Sequence, residues 1–350
     1  MNIRKKINVA IVGFGSSGSI LHAPVILQNK GFRLVAIVSS RPATVRKQFP
    51  EINVLSDLEQ LLRLCDLDLV VVATPNSTHY ELVKKCLQQN KHVIIEKPMT
   101  LMLTEAKELI AIAKQKNRVL CTYQNRRWDG PIITLNSVIQ SKVLGHIYQC
   151  DFHFDRYRPV VQKIKWKELN IEGGGALYDI APHLIDHALC FFGMPESIQA
   201  DIATQRSNAV VDDYFHIVLM YGKTRVLLHS SSVILGDVPH IQVHGANGSY
   251  SCYGMDGYTP PPVKSRDKMP GKNKLIQNRS ILKIYDAGGV KNIDLVTYHA
   301  TYGEYYCQIY EAIVNGAPQP VSFTDMLNNV SIMSLARKSF ETNQRLLVDN

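Results

Sequence analysis

The chain has 350 residues, more than one core holds, since single cores stop growing at roughly 250 to 300 residues; a small binding module is excluded and two domains are expected. Its 45% apolar and 20% charged residues, with mean hydropathy near zero, exclude a disordered or fibrous chain. The net charge of +9 comes from dispersed Lys and Arg, with no long basic block and no finger or RNA-binding signature, so it points to a small polyanion such as a phosphorylated cofactor and not to nucleic acid.

The opening MNIRKKINVAIVG runs from two lysines into a short apolar segment that ends in glycines, and it reads as a first strand, not a leader. From there the chain alternates short apolar runs with helix-like segments: Ile7 to Val12, Leu34 to Val38, Leu69 to Ala73, His92 to Ile95 and Val119 to Tyr123. This rhythm predicts a parallel sheet covered by helices. Ser56 with Glu59 and Thr78 with Glu81 have the spacing of capping boxes before two of those helices. After Tyr123 a helix over about 131–141 precedes a long strand, His146 to Tyr157, and Gly173-Gly174-Gly175 opens another helix. Segments 196–206, 213–221, 224–235 and 240–253 then follow through short turns, as in an antiparallel sheet. Residues 256–280, with three consecutive prolines, read as an exposed loop before helices over about 303–315 and 324–344. The expected architecture is α/β: an N-terminal Rossmann doubly wound parallel sheet over 1–123, and an α+β domain with an open, mainly antiparallel sheet over 124–350. No stretch approaches the ~20 apolar residues of a membrane span. The seven cysteines (65, 86, 121, 150, 190, 252 and 307) lie far apart and form no close metal or redox pair, so reduced thiols in a cytoplasmic protein are expected, with no metal site.

Gly13-Phe14-Gly15-Ser16-Ser17-Gly18 fits G-x-G-x-x-G between a strand and a helix. Its glycines would give in turn the tight turn, the approach of a pyrophosphate and the close packing of the helix. The competing reading is a glycine-rich turn without a ligand. At the end of the second strand, where NAD enzymes hold a carboxylate on the ribose, the sequence reads Val38-Ser39-Ser40-Arg41. Hydroxyls and a guanidinium suit a 2′-phosphate, so NADP is expected rather than NAD; the plainer alternative is that Arg41 is a solvated loop cation. Glu96-Lys97-Pro98 ends the fifth strand, at the carboxyl edge where parallel sheets bind ligands. Asp179 and His183 stand four residues apart, on one face of an expected helix. His187 continues that face, roughly 12 Å from Asp179 along the axis, too far to share one metal ion. A site using His183 and His187 stays open, as does a structural role for both.

GFGSSG, TPNSTH after the fourth strand, EKP after the fifth and D-x-x-x-H in the second domain together resemble the glucose-fructose oxidoreductase, inositol dehydrogenase and MocA (Gfo/Idh/MocA) family over nearly the whole chain. HAP, EKPMT, YQNRRWDG and FDRYRP are most similar to its NADP-dependent scyllo-inositol dehydrogenase branch. The resemblance implies an active site between two domains, and an open sheet that mediates a homodimer or higher homo-oligomer. It implies Lys97, Asp179 and His183 as catalytic residues. Thr74, Asn76, His79 and Glu96 would line the nicotinamide and ribose end, and Gln124, Asn125, Arg127, Tyr157 and Trp166 the substrate cleft. The activity implied is oxidation of a secondary alcohol on a polyol or sugar. The alternatives are a non-catalytic NADP- and sugar-sensing or regulatory protein on the same fold, and an imine or biliverdin-type reductase.

Overall fold

The first strand, β1 (Ile7–Val12), is buried along its whole length, as a central strand covered on both faces must be. The computed structural model describes residues 6–161, 166–169, 171–254 and 279–348, and these divide into two compact units. Unit 1 holds the residues up to 125 together with Thr301–Leu327; unit 2 holds the described residues from 126 to 300 and from Asn328 onward.

In unit 1, β1 is followed by a π-helical turn (Ser17–His22) leading into α1 (Ala23–Gln28), then β2 (Phe32–Val38), α2 (Pro42–Gln48), β3 (Asn53–Leu55), α3 (Leu58–Leu62), β4 (Leu69–Val72), α4 (His79–Gln88), β5 (His92–Ile95), α5 (Leu103–Gln115) and β6 (Leu120–Thr122). All neighbours pair in parallel in the order β3-β2-β1-β4-β5-β6, the doubly wound order with its switch point between β1 and β4. The short edge strand β3 has no counterpart in the sequence reading, because three residues carry no usable alternation. Neither capping box forms. Asp57, not Ser56, caps α3 by accepting from the Gln60 N–H at 2.8 Å. The Thr78 hydroxyl donates to the Pro75 carbonyl and lies 2.7 Å from the Thr74 hydroxyl, in a 3₁₀ turn ahead of α4.

Unit 2 contains α6 (Gly130–Gln140), β7 (Ile147–His153), α7 (Ala176–Asp179), α8 (Ala181–Phe192), β8 (Ser197–Ala203), β9 (Tyr214–Tyr221), β10 (Thr224–Ser231), β11 (Ile241–Gly245), β12 (Gly248–Tyr253), β13 (Arg279–Asp286) and β14 (Gly289–Leu295). With β15 (Leu346–Leu347) they give a nine-stranded sheet, β14-β13-β12-β11-β7-β10-β9-β8-β15, antiparallel except where β10 lies parallel to β7. Alternate residues Cys150 and Phe152, Phe215 to Leu219, and Val226 and Leu228 point into one core with Leu177, Leu184 and Ile185. The other face of each strand carries more polar side chains. The long strand expected to Tyr157 stops at His153 and resumes as a single bridge, Tyr157 to Val233. The expected loop over 256–280 lies outside the described residues, except that Arg279 and Ser280 open β13.

Two helices follow, α9 (Tyr302–Asn315) and α10 (Phe323–Thr342). Helix α9 belongs to unit 1, where a cut at 123/124 does not put it. Its buried stripe of Tyr302, Tyr305, Tyr306, Ile309 and Tyr310 has helical spacing. The Tyr305 hydroxyl donates to the Thr122 carbonyl at 3.2 Å, while Tyr306 and Tyr310 pack edge-on against Phe32. All seven cysteines are free, and no helix among the described residues is long and apolar enough to cross a membrane.

Candidate active site

The candidate residues form two groups, one in each unit. In unit 1 the loop Gly13 to Gly18 leaves β1 at the switch point. Gly13 has a φ of 97°, and a Cβ on it would strike the Ala73 carbonyl; a Cβ on Gly18 would strike the Gly13 carbonyl. Gly15 differs, because nothing lies within 4 Å of the place its Cβ would take. Two glycines therefore serve the turn and the packing, and the middle one leaves the backbone open to approach. Phe14 is buried edge-on to Phe49, and Ser16 is exposed.

Arg41 turns back to this loop: its guanidinium donates to the Phe14 carbonyl at 3.1 Å, and its backbone N–H donates to the Ser39 hydroxyl at 3.1 Å. Ser39 is buried, while Ser40 and Arg41 are exposed. The guanidinium thus lies beside the glycine loop, whereas a freely solvated loop cation would have no such anchor.

After β4 come Thr74, half-buried, and Asn76, buried. His79, also expected at the nicotinamide end, sits deep between two loops. Its ring is wholly enclosed, with Nδ1 2.8 Å from the Pro98 carbonyl and Nε2 3.0 Å from the Thr74 carbonyl. Burial, the larger effect, lowers its pKa against those two carbonyls. It therefore ties the loop after β4 to the loop after β5 from within the protein.

Glu96 follows β5 and is the centre of a buried chain. It accepts from the Ser17 hydroxyl and, at 3.2 Å, from His22 Nε2, while His22 Nδ1 lies 2.7 Å from the Tyr306 hydroxyl. Its other oxygen accepts from the Lys97 N–H at 3.1 Å. Burial by itself would raise the Glu96 carboxyl, but the hydrogen bond and field of His22, the Lys97 ammonium and the Ser17 hydroxyl together outweigh it and hold the group down at about 2. The half-buried Lys97 is thus carried on an ionised carboxylate that reaches the glycine loop. The bond from Lys97 to Pro98 is cis. Gln124 and Asn125 are buried just beyond β6.

In unit 2, Asp179 and His183 do not share one continuous helix. Asp179 ends α7, Ile180 breaks the run at φ −115°, and α8 begins with Pro182 in its first turn, where a missing N–H costs nothing. The break has a local cause, since Pro182 has no N–H to donate back to the Tyr178 carbonyl and its ring crowds that carbonyl. The Asp179 carboxylate is paired with the Lys167 ammonium, and His183 is buried. Asp212 fixes the start of α7: its carboxylate accepts from the Leu177 N–H at 2.7 Å, and its carbonyl accepts from the Ala176 N–H at 2.8 Å. Gly175 has a φ of 92°, and a Cβ there would meet that same carboxylate. Trp166 begins a 3₁₀ turn and lies under the Lys167 ammonium, 5.7 Å from ring centre to Nζ; Tyr157 is exposed. Arg127, expected in the substrate cleft, is held by α8. Its guanidinium makes a two-pronged pair with Asp186 of α8 at 2.8 and 2.7 Å, with both side chains largely buried, so it braces that helix.

Sequence reasoning assigned no role to His22, Tyr306, Lys167 or Asp212. His22 had a signal in the HAP that follows the glycine loop. Lys167 stands next to Trp166. Tyr306 and Asp212 had none, because their partners lie 284 and 35 residues away.

Residues 7–124 match the family model described as oxidoreductase family, NAD-binding Rossmann fold. Residues 136–348 match its companion, the oxidoreductase family C-terminal alpha/beta domain. The chain is 33% identical over 347 residues to scyllo-inositol 2-dehydrogenase (NADP(+)) IolW of Bacillus subtilis, covering 98% of this chain and 96% of that one. It is 35% identical over 334 residues to the Escherichia coli protein named uncharacterized oxidoreductase YdgJ, covering 95% and 96%. Among solved structures it superposes on yvaA of Bacillus subtilis with a TM-score of 0.89 at 32% identity, over 99% of this chain and 100% of that one. With the Yersinia pestis protein YPO2259 the TM-score is 0.90 at 33% identity, over 99% and 98%.

Proposed function

The chain belongs to the Gfo/Idh/MocA oxidoreductase family, and from that premise we propose an NADP-dependent dehydrogenase that interconverts a secondary alcohol and a ketone on a polyol or sugar of the inositol type. The observation that carries the cofactor reading is the Arg41 guanidinium held on the carbonyl of Phe14, beside the open backbone of Gly15, with no carboxylate at the end of β2. That donor set fits a phosphorylated ribose, which a carboxylate would repel. The name of the Bacillus subtilis relative supports both the NADP and the inositol part.

The nicotinamide, when bound, supplies or takes up the hydride. The chain's own residues handle charge and protons. His183 takes the hydroxyl proton, a task suited to an imidazole whose ordinary pKa of about 6.5 lies near neutrality. Asp179, paired with the Lys167 ammonium, orients that imidazole or accepts from a second substrate hydroxyl. Lys97 stabilises the negative charge developing on the reacting oxygen. Thr74, Asn76 and Glu96 shape the pocket for the cofactor's reactive end, and Gln124, Asn125, Tyr157 and Trp166 supply polar and aromatic contacts to substrate.

The test is absorbance at the reduced-nicotinamide band, with NADP and NAD in parallel, over a panel of inositols, aldoses and small ketones. Turnover of an inositol with NADP is expected. Cofactor binding without turnover of any polyol would leave the sensing reading in its place, and a preference for NAD would remove Arg41 from the argument.

A further inference from the structure

Strands β7 and β10 lie side by side and parallel, with His229 directly opposite His153. Two residues beyond His153, Asp155 extends from the same edge. Its carboxylate lies 3.0 Å from His153 Nδ1 through one oxygen and 3.5 Å from His229 Nε2 through the other. One donor atom from each of the three residues lies within 4.8 Å of the other two. Donors in a tetrahedral zinc site stand about 3.3 Å apart, given bonds of about 2.0 to 2.1 Å, so small side-chain rotations bring all three onto one ion.

The surroundings hold the donors in place. The Ser231 N–H donates to Asp155 Oδ1 at 2.9 Å, fixing the carboxylate as outer partners do in metal sites. The Phe154 N–H donates to the His229 carbonyl at 2.8 Å and the His153 N–H to the His240 carbonyl at 2.8 Å, which locks the backbones of both donors. Tyr214 packs edge-on against His229 at 5.3 Å. In the next strand, β9, His216 lies opposite His229, its ring centre 5.6 Å away, and Asp201 of β8 lies opposite His216. The three donors are only partly exposed, at 25%, 9% and 15% for the side chains of His153, Asp155 and His229.

We propose that His153, Asp155 and His229 form a binding site for one divalent transition-metal ion of the zinc, cobalt and nickel class. Two imidazoles and one carboxylate are the donor set such ions take, whereas magnesium and calcium take oxygen alone. The ion would replace the proton shared between His153 and Asp155 and clamp β7 to β10, leaving one position for water or for His216.

The experiment uses full-length protein freed of any affinity tag and dialysed against a chelator. Its exposed thiols, Cys65, Cys190 and Cys307, are alkylated so that they cannot take the metal. Titration with Co²⁺, followed by calorimetry and visible absorbance, should show one equivalent bound with a Kd on the order of micromolar or tighter, with the visible bands of a four- or five-coordinate ion. His229→Ala and Asp155→Asn should each weaken that binding at least tenfold, and metal should raise the melting temperature of the parent but not of the variants. His153→Gln, which keeps a polar side chain in the network, should lose binding too, and the metal-free melting curve of each variant shows whether it folds. Absence of one-to-one binding in the parent, or binding undiminished in folded His229→Ala and His153→Gln, overturns the proposal.

Discussion

At the scale of single residues, the cleanest separation is between groups that do chemistry and groups that hold them. Lys97→Ala should cut turnover by orders of magnitude while NADP binding stays measurable by fluorescence titration; unchanged turnover would remove Lys97 from the mechanism. Arg41→Ala should weaken NADP by about tenfold to a hundredfold, the worth of a charge-assisted hydrogen bond, and leave NAD nearly unaffected, as read from the two KM values. Glu96 gives a pH prediction. Its folded pKa of about 2 lies below its ordinary 4.5, so its contribution to stability is complete above pH 4.5 and is lost as the pH falls toward 2. In urea unfolding at a series of pH values, Glu96→Gln should be less stable than the parent at pH 7 by a few kcal/mol, with the gap closing across that acid window. The residues behind these predictions were legible as letters: a glycine triplet, a lysine after a buried strand, an arginine where a carboxylate is usual. What was not legible is which of their neighbours face inward. His79 and Arg127 have the composition of site residues, yet one holds two backbone loops together and the other is matched to Asp186, 59 residues away.

At the scale of elements, the parallel strands could be read because burial on both faces forces continuous apolar runs. The helix starts were misread because a capping side chain competes with its neighbours. Ser56 has the right chemistry, but Asp57 is ionised, one residue nearer, and takes the Gln60 N–H. The bend at Ile180 was foreshadowed by Pro182, but the spacing of Asp179 and His183 suggested one unbroken helix. The start of α7 is the most sensitive point in this region, since Gly175 combines a positive φ with a Cβ position already taken by the Asp212 carboxylate. Gly175→Ala should therefore lower the melting temperature by several degrees, a loss on the order of 1 to 3 kcal/mol, and depress kcat more than the affinity for NADP, because the displaced α7 carries Asp179. Equal effects on kcat and NADP affinity would count against this.

At the scale of the whole molecule, composition and length gave two domains, and contact groups the late residues differently from chain order. Chain order suggests a cut near 123, whereas contact gives residues 301–327 to unit 1. No local signal announces this, because the pattern of α9 says only that one face is buried and not against what. In the structure that face meets Phe32, His22 and the end of β6, and Gly31 owes its identity to the Tyr310 ring, which leaves no room for a Cβ. A polypeptide ending at residue 125 should consequently show no cooperative melting transition, although it holds the whole parallel sheet and every glycine of the nucleotide loop; a sharp transition in circular dichroism would show that α9 is dispensable.

The late return of α9 also bears on biosynthesis. A ribosome adding about 5 to 20 residues per second takes roughly 10 to 40 s to travel from the end of β6 to the end of the helix that covers it. During that interval the nascent nucleotide-binding sheet waits with Phe32 and its β6 border bare, and must be shielded or tolerate its own stickiness until the final tyrosines emerge.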